Sequence, residues 1–75
     1  MTPKKFNTLE SLDKEDLLLL AVEVCKKSDH LFNYKLFKLN DFFIQVRMNC
    51  QHRIHRIITA YTQQDLPMMY EGEVP

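Results

Sequence analysis

Along residues 32–61 apolar side chains recur at Phe32, Leu36, Leu39, Phe43, Val46, Cys50, Ile54, Ile57 and Tyr61, in steps of three or four. Those steps place them on one face of an α-helix. No helix breaker falls within the stretch, because the prolines stand at 3, 67 and 75 and the one glycine at 72. The spacing therefore predicts a helix from about residue 30 to about residue 64, roughly 50 Å long at 1.5 Å per residue. Phe37, Ile44 and Met48 add a second apolar stripe beside the first. One short partner helix cannot cover both stripes.

A shorter helix is predicted before it, from about residue 14 to about residue 28. Asp13 is a suitable N-cap, Glu15 and Asp16 follow in the first turn, and Leu12 and Leu17 have the spacing of a hydrophobic staple. Leu17, Leu20 and Val24 form its stripe, widened by Leu18, Ala21, Val22 and Cys25, while Lys26 and Lys27 suit its negative end. Leu19 shares a side with Glu23 and Lys26, outside that stripe; an exposed leucine there is usually incidental, the edge of a contact surface being the alternative. Ser28 and Asp29 then supply a short turn.

These elements imply an all-α fold in which helix 14–28 packs on the long helix 30–64. The long helix either stays continuous, giving a helical hairpin with surplus apolar surface, or breaks at Asn40-Asp41, giving three helices. The whole chain, 1–75, reads as one small domain: an arm at 1–9, a helical core at 10–66 and a tail at 67–75 in which Leu66, Met68, Met69 and Tyr70 can fold back.

An α+β alternative uses the same residues. Phe42, Ile44, Val46, Met48 and Cys50 alternate with Gln45, Arg47, Asn49 and Gln51, the period of a half-buried strand, and Asn40-Asp41 could turn a hairpin over residues 32–50. The helix is preferred because its spacing runs unbroken to Tyr61 and because the turn lacks the glycine that two-residue hairpins favour.

Composition narrows the function more than the fold. Ten basic and ten acidic side chains cancel, so no global field draws the chain to nucleic acid or to an anionic membrane. Two cysteines without a dense pattern point to a reduced, cytoplasmic setting rather than a disulfide scaffold. The longest hydrophobic block, residues 17–22, is far too short to span a bilayer, and no targeting signal is evident.

Cys50, His52 and His55, with Cys25 and His30, invite a zinc reading. On a helix, however, Cys50 and His52 diverge by about 200°. Neither a Cys-x-x-Cys pair nor a His-Glu-x-x-His motif is present, so no metal and no cofactor is expected. Ser11 and Ser28 sit at turns and no glycine-rich loop exists, so catalysis is not expected either.

The segment 42–64 contains no acidic residue and carries Arg47, Arg53 and Arg56. The sequence thus points to a non-enzymatic interaction module, acting as regulator, adaptor or inhibitor, with Phe37, Ile44 and Met48 as anchors and Arg47, Arg53 and Arg56 as orienting groups. Its partner would be another protein or a second copy of the chain. The alternative is a nucleic-acid-binding regulator contacting phosphates through Lys35, Lys38, Arg47, His52, Arg53 and Arg56. His52 and His55 would strengthen binding through this face as pH falls towards about 6.

Overall fold

The computed structural model describes residues 1–51 and 56–74. Two helices, α1 (Pro3–Asn7) and α2 (Ser11–Leu18), lead into four strands, β1 (Val22–Ser28), β2 (Phe32–Leu39), β3 (Phe42–Asn49) and β4 (Arg56–Tyr61). The strands form one antiparallel sheet in the order β1-β2-β3-β4. Short 3₁₀ turns at Gln63–Asp65 and Met68–Tyr70 follow.

Local chemistry explains the two tight turns. At β2–β3 Asn40 takes a left-handed backbone, φ 55°, which asparagine tolerates better than most residues, so Asn40-Asp41 closes the hairpin without glycine. At β1–β2 the Asp29 carboxylate accepts from the backbone N–H groups of Phe32 at 2.7 Å and Leu31 at 2.8 Å. Those two donors hold the Asp29 carboxyl below its ordinary range.

Residues that face each other across antiparallel strands share a side of the sheet. Pairs Phe37 with Ile44, Ile44 with Ala60 and Val46 with Ile58 therefore mark one face, and Leu36 with Gln45 and Lys38 with Phe43 mark the other. The first face is covered by α1 and α2. Phe6, Leu18, Leu39, Phe42, Ile44, Val46, Ile58 and Ala60 form its core, with Leu9, Leu17, Ala21 and Phe37 packed against it. Phe6 meets the Phe42 ring edge-on, centroids 6.1 Å apart.

The second face is covered by the C-terminal segment. Tyr70 is buried with Leu36 and Phe43, and Val24, Cys25, Leu66 and Val74 pack around them. Its hydroxyl donates to Gln45 Oε1 at 2.8 Å inside this layer, giving the one buried polar side chain of β3 its partner.

The all-α expectation is therefore corrected: the chain is mostly β-sheet with two short helices. Residues 30–39 and 42–49, expected in one long helix with or without a break, form β2 and β3 with their approach, and the end of that span becomes β4. Of the shorter helix expected at 14–28 only the part to Leu18 is helical, and Val22–Ser28 is an edge strand. The reason is that β3 is covered on both sides. Residues 42–46 are all buried, so the alternation of a half-buried strand disappears and the apolar positions fall by chance at helical steps.

The N-terminal residues take part in the fold, and of the C-terminal ones Leu66 and Tyr70 fold back onto the sheet. Thr2 caps α1 by accepting from Lys5 N at 3.2 Å, and Phe6 is fully buried. Asp13, expected as the cap of the first helix, lies within its first turn, and Leu12 is exposed rather than stapled.

Candidate binding surfaces

Helix α2 has two apolar sides. Leu17, Leu18 and Ala21 face the sheet, and turns of backbone hydrogen bonding continue the helical path as far as Ala21. On the outward side Leu12 is 80% exposed, Leu19 84% and Leu20 72%. At about 100° per residue these three fall within roughly a 100° sector of the helix surface. Val22, 70% exposed, lies across from Lys38 and so belongs to the other face of the sheet. Acidic residues stand within and around this sector: Asp16 lies between Leu12 and Leu20 at the same 100° per residue, Asp13 lies beside Leu20, and Glu10 precedes the helix, all three exposed. Lys14 and Glu15 are turned inward to the sheet, where Lys14 Nζ donates to Ile58 O at 3.3 Å and Glu15 pairs with Arg56 at 2.6 Å.

The opposite end of the sheet is basic. On the helix-covered face, beyond the reach of α2, Lys26 stands directly across from Lys35 and Ser28 across from Asn33. Asn33 in turn faces Met48, and Met48 faces Arg56. Lys26, Ser28, Asn33, Lys35 and Met48 line an open groove of about 410 Å³, which Lys27 and Tyr34 also border.

On the other face of the same end, the Arg47 guanidinium lies over the Phe32 ring, 4.7 Å from its centroid. Tyr34, directly across from Arg47, tilts against Phe32 and donates from its hydroxyl to Asp29 Oδ2 at 3.3 Å.

The expected site residues are thus divided. Ile44 is fully buried in the core and Phe37 packs against it. Met48 lines the groove and Arg56 lies beside it, held by Glu15. Lys35 belongs to the same groove, whereas Lys38, 5.8 Å from the Phe43 ring centroid, and Arg47 lie on the opposite face. Arg53, His52 and His55 lie outside the described residues. Sequence reasoning did not bring Lys26, Ser28 and Asn33 together, because only strand register does so. The misfit of Leu19 was the one visible signal of the outer leucine surface.

Metal-ligating side chains do not gather into a group of three or more among the described residues. Burial pushes the Cys25 thiol up, and Glu73 and Glu23 add to that against the opposing effect of Lys27, so it is a poor nucleophile. Among the described residues no helix is long and apolar enough to cross a membrane.

In comparisons with known proteins, no family model, no curated protein and no solved structure matches this chain.

Proposed function

We propose that this chain is a small non-enzymatic interaction module that docks a basic, amphipathic segment of a partner protein on the outer surface of α2. The observation that carries the reading is the exposure of Leu19 and Leu12, 84% and 80%, on a helix whose other side is already occupied by the sheet. Large leucines grouped on one side of an element are the apolar centre from which interfaces are built. The exposed carboxylates of Glu10, Asp13 and Asp16, among and beside the leucines, supply complementarity for lysine or arginine on the incoming segment and disfavour acidic competitors.

The nucleic-acid reading draws less support, because Lys35 and Arg56 project from one face of the sheet and Lys38 and Arg47 from the other. One backbone cannot follow both. A cytoplasmic setting belongs to the proposed reading and is supported by the free thiols of Cys25 and Cys50.

Selection from a displayed peptide library tests this, using the full chain as bait and a variant carrying Leu19→Asp and Leu20→Asp as the counter-bait. Both residues are solvent-facing, so the variant should keep its fold, to be checked by circular dichroism. The expected peptides carry apolar residues at steps of three and four with interspersed Lys or Arg, and the variant does not retain them. Peptides retained equally by both baits would overturn the reading. So would a concentration-dependent dimer of the parent chain, abolished by the same substitutions, since a second copy would then occupy the surface.

A further inference from the structure

The groove at the basic end carries an inference that is independent of the leucine surface. We propose that it is a binding site for a phosphate monoester, with the phosphoryl oxygens held between Lys26 and Lys35 and the organic part resting on Met48.

The argument begins with the pairing of the two lysines. Lys26 and Lys35 are direct cross-strand neighbours on one face, where like charges repel at Cβ separations of roughly 4.5–5.5 Å. Lys35 has no ion-pair partner among the described residues. Lys26 has only Glu23, at 3.8 Å between side chains that are 65% and 40% exposed, a contact weak enough to yield to a dianion. The neighbouring cations are committed elsewhere, Lys27 to Glu73 at 3.1 Å and Arg56 to Glu15 at 2.6 Å. Two facing ammonium groups are therefore left over a groove, and an anion placed between them converts their repulsion into attraction.

The next row supplies what a phosphoryl group needs besides charge. Ser28 and Asn33 face each other one step along the strands, offering a hydroxyl and a side-chain amide as neutral donors. Met48 borders the same space as an adaptable apolar surface, suited to the alkyl or aryl part of an ester rather than to inorganic phosphate alone. The groove, about 410 Å³, has the volume of a small-molecule site. A dianionic phosphate is the preferred form, so binding should strengthen as pH rises through about 6.

Titration of the full chain with phenyl phosphate, read by amide chemical shifts, tests the proposal at constant ionic strength. Saturable shifts are expected at Lys26, Ser28, Asn33 and Lys35, with affinity higher than for inorganic phosphate. Lys35→Ala should weaken binding about tenfold or more, and Lys38→Ala, on the same strand but the opposite face, should leave it unchanged. A parallel arm with phosphatidic acid vesicles separates two sources of the same group. Vesicle binding that phenyl phosphate displaces would identify a lipid headgroup as the source, and absence of vesicle binding would identify a soluble monoester. The proposal is overturned if phenyl phosphate does not saturate, if Lys38→Ala weakens it as much as Lys35→Ala, or if a single-stranded oligonucleotide shifts these amides while phenyl phosphate does not.

Discussion

The side-chain amide of Asn7 makes two hydrogen bonds to the backbone of Ala60, donating to its carbonyl at 3.0 Å and accepting from its N–H at 2.7 Å. One asparagine thus stands in for a residue of a fifth strand, and Lys14 adds a donor to the carbonyl of Ile58 two residues along. The outer edge of β4 is closed in this way against pairing with another chain. The other edge, β1, is protected differently, by a register irregularity between Glu23 and Cys25 and by the charges of Lys26 and Lys27. Asn7→Ala should destabilise the fold by about 1–3 kcal/mol, two part-buried hydrogen bonds being lost at once, and should raise self-association. Urea denaturation and light scattering check the two effects, and an unchanged midpoint would mean that the Asn7 bonds contribute nothing net.

Tyr70 ties the C-terminal segment to the sheet through its hydroxyl on Gln45, and burial raises its phenol well above the ordinary value of 10.0. A group whose pKa is raised by folding contributes stability that is complete below its unfolded value and declines as pH rises past it. The fold should therefore keep this contribution up to about pH 10 and lose stability steadily above. Tyr70→Phe should cost about 1–3 kcal/mol, because Gln45 remains buried without a partner, and pairing it with Gln45→Met should recover part of the loss. In the Tyr70→Phe protein the decline above pH 10 should be shallower. An identical alkaline limb in both proteins would assign it to other groups.

The same relationship shows why the architecture was only partly legible. The hairpin Phe32–Asn49 was readable from the alternation at Ile44, Val46 and Met48 and from Asn40-Asp41, yet the helical steps from Phe32 to Tyr61 competed with it. The unbroken spacing and the turn without glycine decided the competition wrongly, and one of the helical steps is Phe43. It breaks the alternation because Tyr70, more than twenty residues away, covers the second face, and no local pattern reveals that cover. Similarly the arm expected at 1–9 contains Phe6, which fills the core beside Phe42. The candidate surfaces follow the same logic. The outer leucines are neighbours along α2 and left a trace in the sequence, whereas Lys26 and Lys35 meet only through the β1–β2 register.

Ile44 and Met48 looked equivalent as anchors, and the fold separates them. Ile44 lies on β3 between Phe37 and Ala60 with no exposed surface, and Met48 borders the groove between Asn33 and Arg56. Ile44→Asp should unfold the chain, since a buried unpaired carboxylate costs several kcal/mol against a total stability of about 5 kcal/mol for a domain this small. Met48→Asp should keep the fold, with a change of about 1 kcal/mol or less and a new neighbour for its charge in Arg56. Circular dichroism melts of the two variants decide it. Cooperative folding of Ile44→Asp would contradict the buried placement of that side chain.

Arg47 offers the sharpest contrast between charge and packing. Its guanidinium covers Phe32, while its Nε is buried with no hydrogen-bond partner among the described residues. A buried donor left without an acceptor carries a desolvation cost that an apolar side chain of similar length avoids. Arg47→Met should therefore be neutral or stabilising by about 1 kcal/mol, since methionine keeps the contact with the Phe32 ring and removes the unpaired N–H. Arg47→Ala should instead destabilise by about 1 kcal/mol or more, because the stem that covers Phe32 is lost along with the charge. Thermal melts at low and high salt distinguish packing from electrostatics: the order Met, Arg, Ala should hold at both. If Arg47→Met proves as harmful as Arg47→Ala, the guanidinium itself holds this end of the sheet together, through the cation–π contact with Phe32.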